Sequence, residues 1–300
     1  MELTFLGTSS AVPSKHRNHP SIGLKAFGEV MLFDCGENTQ RQLIFAKISP
    51  MKITKIFISH LHGDHILGLP GLIESMGFRG RKEPLNIYGP PGIFNVEIAI
   101  RNLGCNNKTF TTTFHEIKGG TVIDNDEYMI KAIKTKHNIY NLSYSIIEKK
   151  KPRFLKEKAI ELGVKPGPDF GKLHNGESIK VNNKIISPDQ VLGEDRMGIK
   201  ISYSGDTKPS DELVEFIKNS NILIHESTYD QSDIDKANEH YHSTGKQAAE
   251  IAKRANVNRL ILTHISSRYK KADKIKEEAC EVFENTNIAF DFFKIELNTN

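Results

Sequence analysis

Residues 53–65, ITKIFISHLHGDH, run from a β-branched apolar stretch directly into His60-Leu61-His62-Gly63-Asp64-His65. The apolar half has the composition of a short buried strand. It stops at four side chains that bind metals through nitrogen or oxygen, packed into six residues. Solvation or packing gives no reason for H-x-H-x-D-H. Zinc prefers this donor set, and a tight loop freed to bend at Gly63 can turn all four side chains into one pocket.

Four residues in one loop cannot close two coordination spheres, so further ligands are expected at later strand ends. His137 follows the run MIKAIKT, Asp206 sits in SYSGDT after KISYS, and His264 follows RLILT. Each is a polar residue just beyond an apolar run, where the active sites of α/β sheets gather. Taken singly, such a residue is more often a cap or turn residue. Their order together with the HLHGDH loop is the specific signal.

Around these points strand-like and helix-like segments alternate. ELTFLG, SIGLKAF and VMLFDCG read as strands, LGLPGLIESMGF and IFNVEIAIRNLG as helices, and the alternation resumes through SDELVEFIKN, ILIHES and GKQAAEIAKRAN. The pattern predicts a layered α/β protein without a solenoid repeat. One stretch departs from it. Residues 148–165 carry seven basic and three acidic side chains and lead into the Gly- and Pro-rich PGPDFGKLHNGES. That composition fits either a solvated surface helix and loop or a projecting basic arm.

Bulk properties exclude more than they assign. The 300 residues are ample for a buried core, and 41 basic against 37 acidic residues leave a net charge of only +4, too mild to require a nucleic-acid partner except through a local patch. No apolar run approaches the roughly 20 residues that cross a bilayer, and MELTFLGTSSAVP lacks a signal-peptide layout, so no membrane partner and a cytoplasmic protein are expected. Cys35, Cys105 and Cys280 are scattered and odd in number, indicating neither a disulfide framework nor a thiolate zinc site.

The ligand order resembles that of the metallo-β-lactamase superfamily. The resemblance implies a four-layer αββα sandwich, one domain over 1–300 with a flexible basic arm inserted at about 148–176. It implies two zinc ions per subunit, although Mn or Fe also suit such ligands. His60, His62 and His137 would surround one ion and Asp64, His65 and His264 the other, with Asp206 bridging. Asp34, in LFDCGE, falls where the superfamily has an early structural aspartate. Asp64 would also orient or deprotonate the attacking water, which two cations acidify.

Further motifs are similar to those of the ribonuclease Z family. Pro13-Ser14-Lys15-His16-Arg17-Asn18 matches its P-x-K-x-R-N loop, with Lys15, Arg17 and Asn18 as implied contacts to the RNA end. His225-Glu226-Ser227-Thr228 resembles its H-E-A-T motif with Ser227 replacing Ala, and His242-Ser243-Thr244 matches H-S-T. Glu226 and His242 are thereby implied as the catalytic pair that protonates the leaving oxygen. Gly167-Pro168 matches a motif of the family's tRNA-gripping arm, and Arg268, in THISSRY, is an implied phosphate contact or a surface residue. Asn38 stands where the family commonly has Gly, which puts the local turn geometry in question. The implied activity is hydrolytic removal of the 3′ trailer from precursor tRNA, leaving a 3′-hydroxyl, by a short-form, homodimeric enzyme. Two other readings stay open: a dinuclear-metal phosphodiesterase or thioesterase for small substrates, and a non-catalytic tRNA-binding protein.

Overall fold

The β-branched runs become sixteen strands among the residues described by the computed structural model, namely 1–104, 109–194 and 196–297. In chain order they are β1 Glu2–Gly7, β2 Ser21–Ala26, β3 Glu29–Phe33, β4 Ile53–Phe57, β5 Leu85–Gly89, β6 Thr112–Glu116, β7 Gly120–Asp124 and β8 Tyr128–Thr135. There follow β9 Asn141–Lys150, β10 Ile179–Val181, β11 Lys184–Ile186, β12 Arg196–Tyr203, β13 Ile222–Glu226, β14 Leu260–Thr263, β15 Thr286–Ile288 and β16 Lys294–Glu296. One seven-stranded sheet has the order β16-β1-β2-β3-β4-β5-β6, and a second has β15-β14-β13-β12-β9-β8-β7. The strands from β3 to β6 are parallel, as are those from β12 to β15.

Alternation along each strand gives each sheet two apolar faces. Ile53 and Ile56 of β4 point outward into a cluster with Leu43, Leu72, Ile73, Met76 and Ile93 from the helices at 39–45, 69–78 and 93–102. Phe57 points the other way, stacked on Phe33 at 5.3 Å and tilted against Tyr144 of β9 at 5.5 Å. In the second sheet Leu223, Leu260 and Leu262 pack outward on Leu213, Ala248, Ala252 and Ile275 from the helices at 211–217, 245–254 and 273–280. A sheet buried on both faces must be covered on both. The result is the αββα sandwich.

Two tyrosines tie the inner faces together. The Tyr144 hydroxyl donates to the Ile58 carbonyl at 2.8 Å, and the Tyr203 hydroxyl donates to Asp34 Oδ2 at 2.7 Å. The Asn38 question resolves locally: Asn38 adopts φ 67° ahead of the helix at 39–45, a left-handed conformation that Asn tolerates better than most residues. At Gly68 a Cβ would fall 2.1 Å from the Gly36 carbonyl. This close approach lets the chain after HLHGDH lie against the loop carrying Asp34.

Residues Asn125–Tyr128 and Ile147–Gly198 form a second compact unit. The charged stretch at 148–176 occupies only part of it. The unit holds helices at 156–161 and 168–174 and the β10-β11 hairpin. Ala159, Val164, Leu173, Ile179, Ile186 and Val191 make a small core of their own, with Phe154 and Phe170 packed against it. Charge counting did not reveal this core because its apolar residues are scattered from 159 to 191 and meet only in the folded unit. Lys156, Lys158 and Lys165 remain exposed, as do Gly167 and Pro168 at the start of the second helix. Among the described residues no helix is long and apolar enough to cross a membrane. Cys35 is a buried free thiol and Cys280 is free and half-buried, while Cys105 lies outside the described residues.

Candidate metal centre

Parallel pairing brings the carboxyl ends of neighbouring strands to one level, and the polar residues follow just beyond them. Phe33 of β3 is in register with Phe57 of β4, so Asp34 and the Ser59–His65 loop emerge side by side. Tyr203 of β12 pairs with Ile224 of β13, and Glu226 pairs with Thr263 of β14, which brings out Asp206, Glu226 and His264 together. His137 follows β8. The seven expected ligands therefore converge from both sheets, although they span 205 positions of sequence, from 60 to 264 counted inclusively.

Their donor atoms form two groups. His60 Nε2 lies 3.0 Å from His62 Nδ1, which lies 3.4 Å from His137 Nε2. In the second group His65 Nε2 and His264 Nε2 are 3.3 Å apart, and Asp64 Oδ2 is 3.5 and 3.6 Å from them. Asp206 Oδ2 is 3.2 Å from His264 Nε2, 3.5 Å from His65 Nε2 and 3.7 Å from His60 Nε2, so it faces both groups. Ligands about 2.0–2.1 Å from a tetrahedral ion lie about 3.3 Å from one another. Imidazole lone pairs brought this close repel unless a proton or cation lies between them. Asp206 is buried, and its Oδ1 has no hydrogen-bond partner among the described residues. Such an orphaned carboxylate oxygen is costly without a cation to meet it. The residues therefore fit divalent metal binding.

The charge balance agrees. Burial alone would drive the carboxyls of Asp64 and Asp206 up. The imidazoles beside them outweigh it, holding Asp64 at about 2 and Asp206 well below its usual range. Burial likewise opposes protonation of His65, but Asp206, Asp34 and Asp64 overcome it and raise the imidazole well above 6.5. For His60 burial and the neighbouring His65 win, and its imidazole is pushed down. Without a metal, the carboxylates are countered by a proton on His65.

Several of these imidazoles are aimed by their other nitrogen. His65 Nδ1 donates to Asp34 Oδ2 at 2.8 Å, leaving Nε2 turned to His264, Asp64 and Asp206. Asp34 also accepts from the Ser59 amide at 2.7 Å and the Ser59 hydroxyl at 2.8 Å. His137 Nδ1 donates to the Tyr241 carbonyl at 3.0 Å, and His264 Nδ1 lies 2.9 Å from the Thr228 hydroxyl. Such outer partners fix the tautomer and orientation of metal-binding histidines. Ser59, Tyr203, Thr228 and Tyr241 were not singled out in the sequence. Thr228 lay within a quoted motif, but no local pattern marks the others.

Beside the donor groups, His242 Nδ1 lies 2.9 Å from Glu226 Oε1, and Glu226 also accepts from the amides of Thr207 and Thr228. Burial lowers the His242 imidazole, but the Glu226 charge and hydrogen bond more than reverse this and bring it to about 9. His242, His62, Asp64, His137, Asp206 and His264 share the wall of a cavity of about 540 Å³. Arg268 lies on the same wall, its guanidinium 4.7 Å over the Tyr229 ring and 3.3 Å from Asp233 Oδ2. His240 also lines this cavity.

Lys15, Arg17 and Asn18 lie elsewhere, around a second cavity of about 420 Å³ shared with Arg41, Phe45 and Asp291. Arg17 Nη1 donates to the Thr8 hydroxyl and the Ala289 carbonyl, both at 2.7 Å. Asn18 donates its amide to Asp291 and its side chain to the Glu37 carbonyl. The half-buried Asp291 carboxylate draws the loop inward, so Arg17 and Asn18 brace it while Lys15 is exposed. Gly167 and Pro168 belong to the second compact unit.

With this geometry in hand, similarity to known proteins is informative. Residues 1–155 match the family described as anti-Pycsar protein Apyc1, and residues 191–265 match the beta-lactamase superfamily domain. The first match contains Asp34, HLHGDH and His137; the second contains Asp206, Glu226, His242 and His264. The chain is 55% identical over 297 residues to a ribonuclease Z of Methanothermobacter thermautotrophicus, covering 99% of this chain and 97% of that protein. It is 50% identical over 279 residues to a ribonuclease Z of Methanocaldococcus jannaschii, covering 91% and 88%. The crystal structure of human short-form tRNase Z superposes with a TM-score of 0.75 at 30% identity, with both chains covered completely.

Metal binding to the folded state alone raises stability by RT ln(1 + [metal]/Kd), about 2.7 kcal/mol at 100 times Kd. Zinc added to chelator-stripped protein is expected to raise the thermal midpoint, and Asp206→Asn to lose most of that rise. An equal rise in the variant would remove Asp206 from the ligand set.

Proposed function

The chain belongs to the ribonuclease Z family, and from that premise we propose how this tRNA 3′-processing endonuclease cuts its substrate. In this reading two zinc ions are held, one by His60, His62 and His137, the other by Asp64, His65 and His264, with Asp206 between them. Ions so bound supply an acidified water and positive charge for the phosphoryl oxygens.

The chain's own side chains manage the protons. Asp64, on the cavity wall, orients the attacking water, whose oxygen bonds to phosphorus as the bond from phosphorus to the ribose 3′-oxygen breaks and whose proton passes to bulk water. That departing oxygen needs a proton. His242, charged at neutral pH through Glu226, gives it from Nε2 because Nδ1 is committed to the carboxylate. The products are a tRNA with a 3′-hydroxyl and a trailer with a 5′-phosphate. The seating of His242, backed by Glu226, on the same cavity as members of both donor groups carries this reading.

Substrate contacts are proposed at Arg268 on that cavity, at Lys15 with Arg17 and Asn18 shaping its loop, and at Gly167, Pro168 and the exposed lysines of the second compact unit. Lysine contacts to backbone phosphate give affinity without reading bases. A precursor tRNA with a 3′ trailer should be cut in the presence of zinc and left intact with chelator. Lys156, Lys158 and Lys165 changed together to Glu should raise KM about 10-fold or more at low salt and leave hydrolysis of a small phosphodiester unchanged. Turnover of the small diester with the precursor intact would overturn the RNA assignment.

The acid role makes a separate claim about pH. A raised imidazole stays protonated, and active as an acid, until the pH climbs through its folded value. Glu226→Gln removes the cause of the elevation, so the alkaline limb of kcat should move to lower pH, with kcat at pH 7 down about 100-fold. An unmoved limb would show that Glu226 does not set the acid.

We further propose a homodimer, supported by full-length similarity to a short-form enzyme and by Ile44, Phe45, Phe78, Phe94 and Ile98, which the helices at 39–45, 69–78 and 93–102 leave exposed. Sedimentation at micromolar concentration should give twice the chain mass; a monomer there would refute it.

A further inference from the structure

One hydroxyl touches both halves of the site. Thr228 Oγ1 lies 2.7 Å from Glu226 Oε2, 2.9 Å from His264 Nδ1 and 3.2 Å from His242 Nδ1. All four side chains are buried or nearly so. The group has a single proton, and its neighbours decide where that proton goes. Glu226 accepts two backbone amides, from Thr207 and Thr228, and faces the His242 ring, so its carboxylate only accepts. The Thr228 hydroxyl therefore donates to Glu226 Oε2. Its lone pairs are then turned to the two ring nitrogens; His242 Nδ1 has a nearer acceptor in Glu226 Oε1 at 2.9 Å, so the proton the hydroxyl accepts is the one on His264 Nδ1. The ring's other nitrogen, Nε2, is thereby left bare, facing Asp64, His65 and Asp206.

We propose that Thr228 is a positioning residue that sets the Nδ1–H tautomer of His264 and holds Glu226 in register with it, so that one hydroxyl joins the metal-ligand shell to the proton-donating pair. The inference rests on the assignments of His264 and Glu226 made above. It adds that these two are mutually oriented through Thr228 and are not aimed independently. Neither Ser59 nor Asp34 can do this for His264, because both are committed to His60 and His65 on the first sheet.

The variants are Thr228→Val, which keeps the shape and removes the hydroxyl, and Thr228→Ser, which keeps the hydroxyl. In metal-free protein labelled with ¹⁵N at histidine, the wild type and Thr228→Ser should show the His264 ring proton on Nδ1. Thr228→Val should shift the ring toward the Nε2–H form. In competition against a chromophoric chelator, Thr228→Val should bind zinc about 10- to 100-fold more weakly. With saturating zinc, its kcat on precursor tRNA should fall at least 10-fold at unchanged KM, and Thr228→Ser should restore zinc affinity and kcat together. Wild-type zinc affinity in the Val variant, an unmoved His264 tautomer, or failure of Ser to rescue would each overturn the proposal. The tautomer and zinc readings need no RNA. They therefore stand or fall separately from the acid role of His242, which fails on its own if His242→Ala cleaves normally.

Discussion

The Asp34 carboxylate is the point on which the centre hangs. It accepts four hydrogen bonds, from the Ser59 amide and hydroxyl, the His65 ring and the Tyr203 hydroxyl. Three of these come from the chain that follows β4 and the fourth from β12 in the other sheet. Asp34 itself takes φ 58°, a conformation that costs a non-glycine residue energy. The cost is met because a fully buried carboxylate with four donors is far better placed than one with fewer. Loss of this residue would free His65 to rotate and would leave Tyr203 and Ser59 as unpaired polar groups in a closed interior.

From that anchor the logic of the site is electrostatic. Asp34, Asp64 and Asp206 gather buried negative charge at the ends of two parallel stacks of strands, and five imidazoles close around it. A folded protein cannot leave such charge unmet. In the absence of metal a proton on His65 partly meets it; divalent metal binding meets it better, and the donor atoms are spaced for coordination rather than for hydrogen bonds to one another. His264, like Asp34, takes a left-handed backbone, φ 59°. Two strained residues, one from each sheet, thus sit at the ligand shell, where the surrounding hydrogen bonds over-determine their conformation.

The basic stretch teaches a different lesson. Its charge suggested an excursion from the sandwich, yet residues through Gly198 form a unit with a core. Composition detects lysines. It does not detect six apolar residues that meet only after two short helices and a hairpin have formed. The P-x-K-x-R-N loop shows the converse. Its residues read as contacts to an RNA end, yet two of them also brace their own loop, Arg17 through Thr8 and Ala289 and Asn18 through the half-buried Asp291, 273 positions away.

The sequence by itself determined the donor chemistry, the strands that deliver each donor and the family, because periodicity and ligand type are local properties written in adjacent residues. HLHGDH after a β-branched run, and His137, Asp206 and His264 each just beyond an apolar run, are legible without a structure. The tertiary structure alone decided which nitrogen of each histidine faces the clustered donors, that Tyr203 reaches Asp34 across 169 positions of sequence, and that Thr228 stands between Glu226 and His264. Those facts depend on pairs of groups brought together only when two sheets close on each other, and the energy of such a contact leaves no periodic trace along the chain.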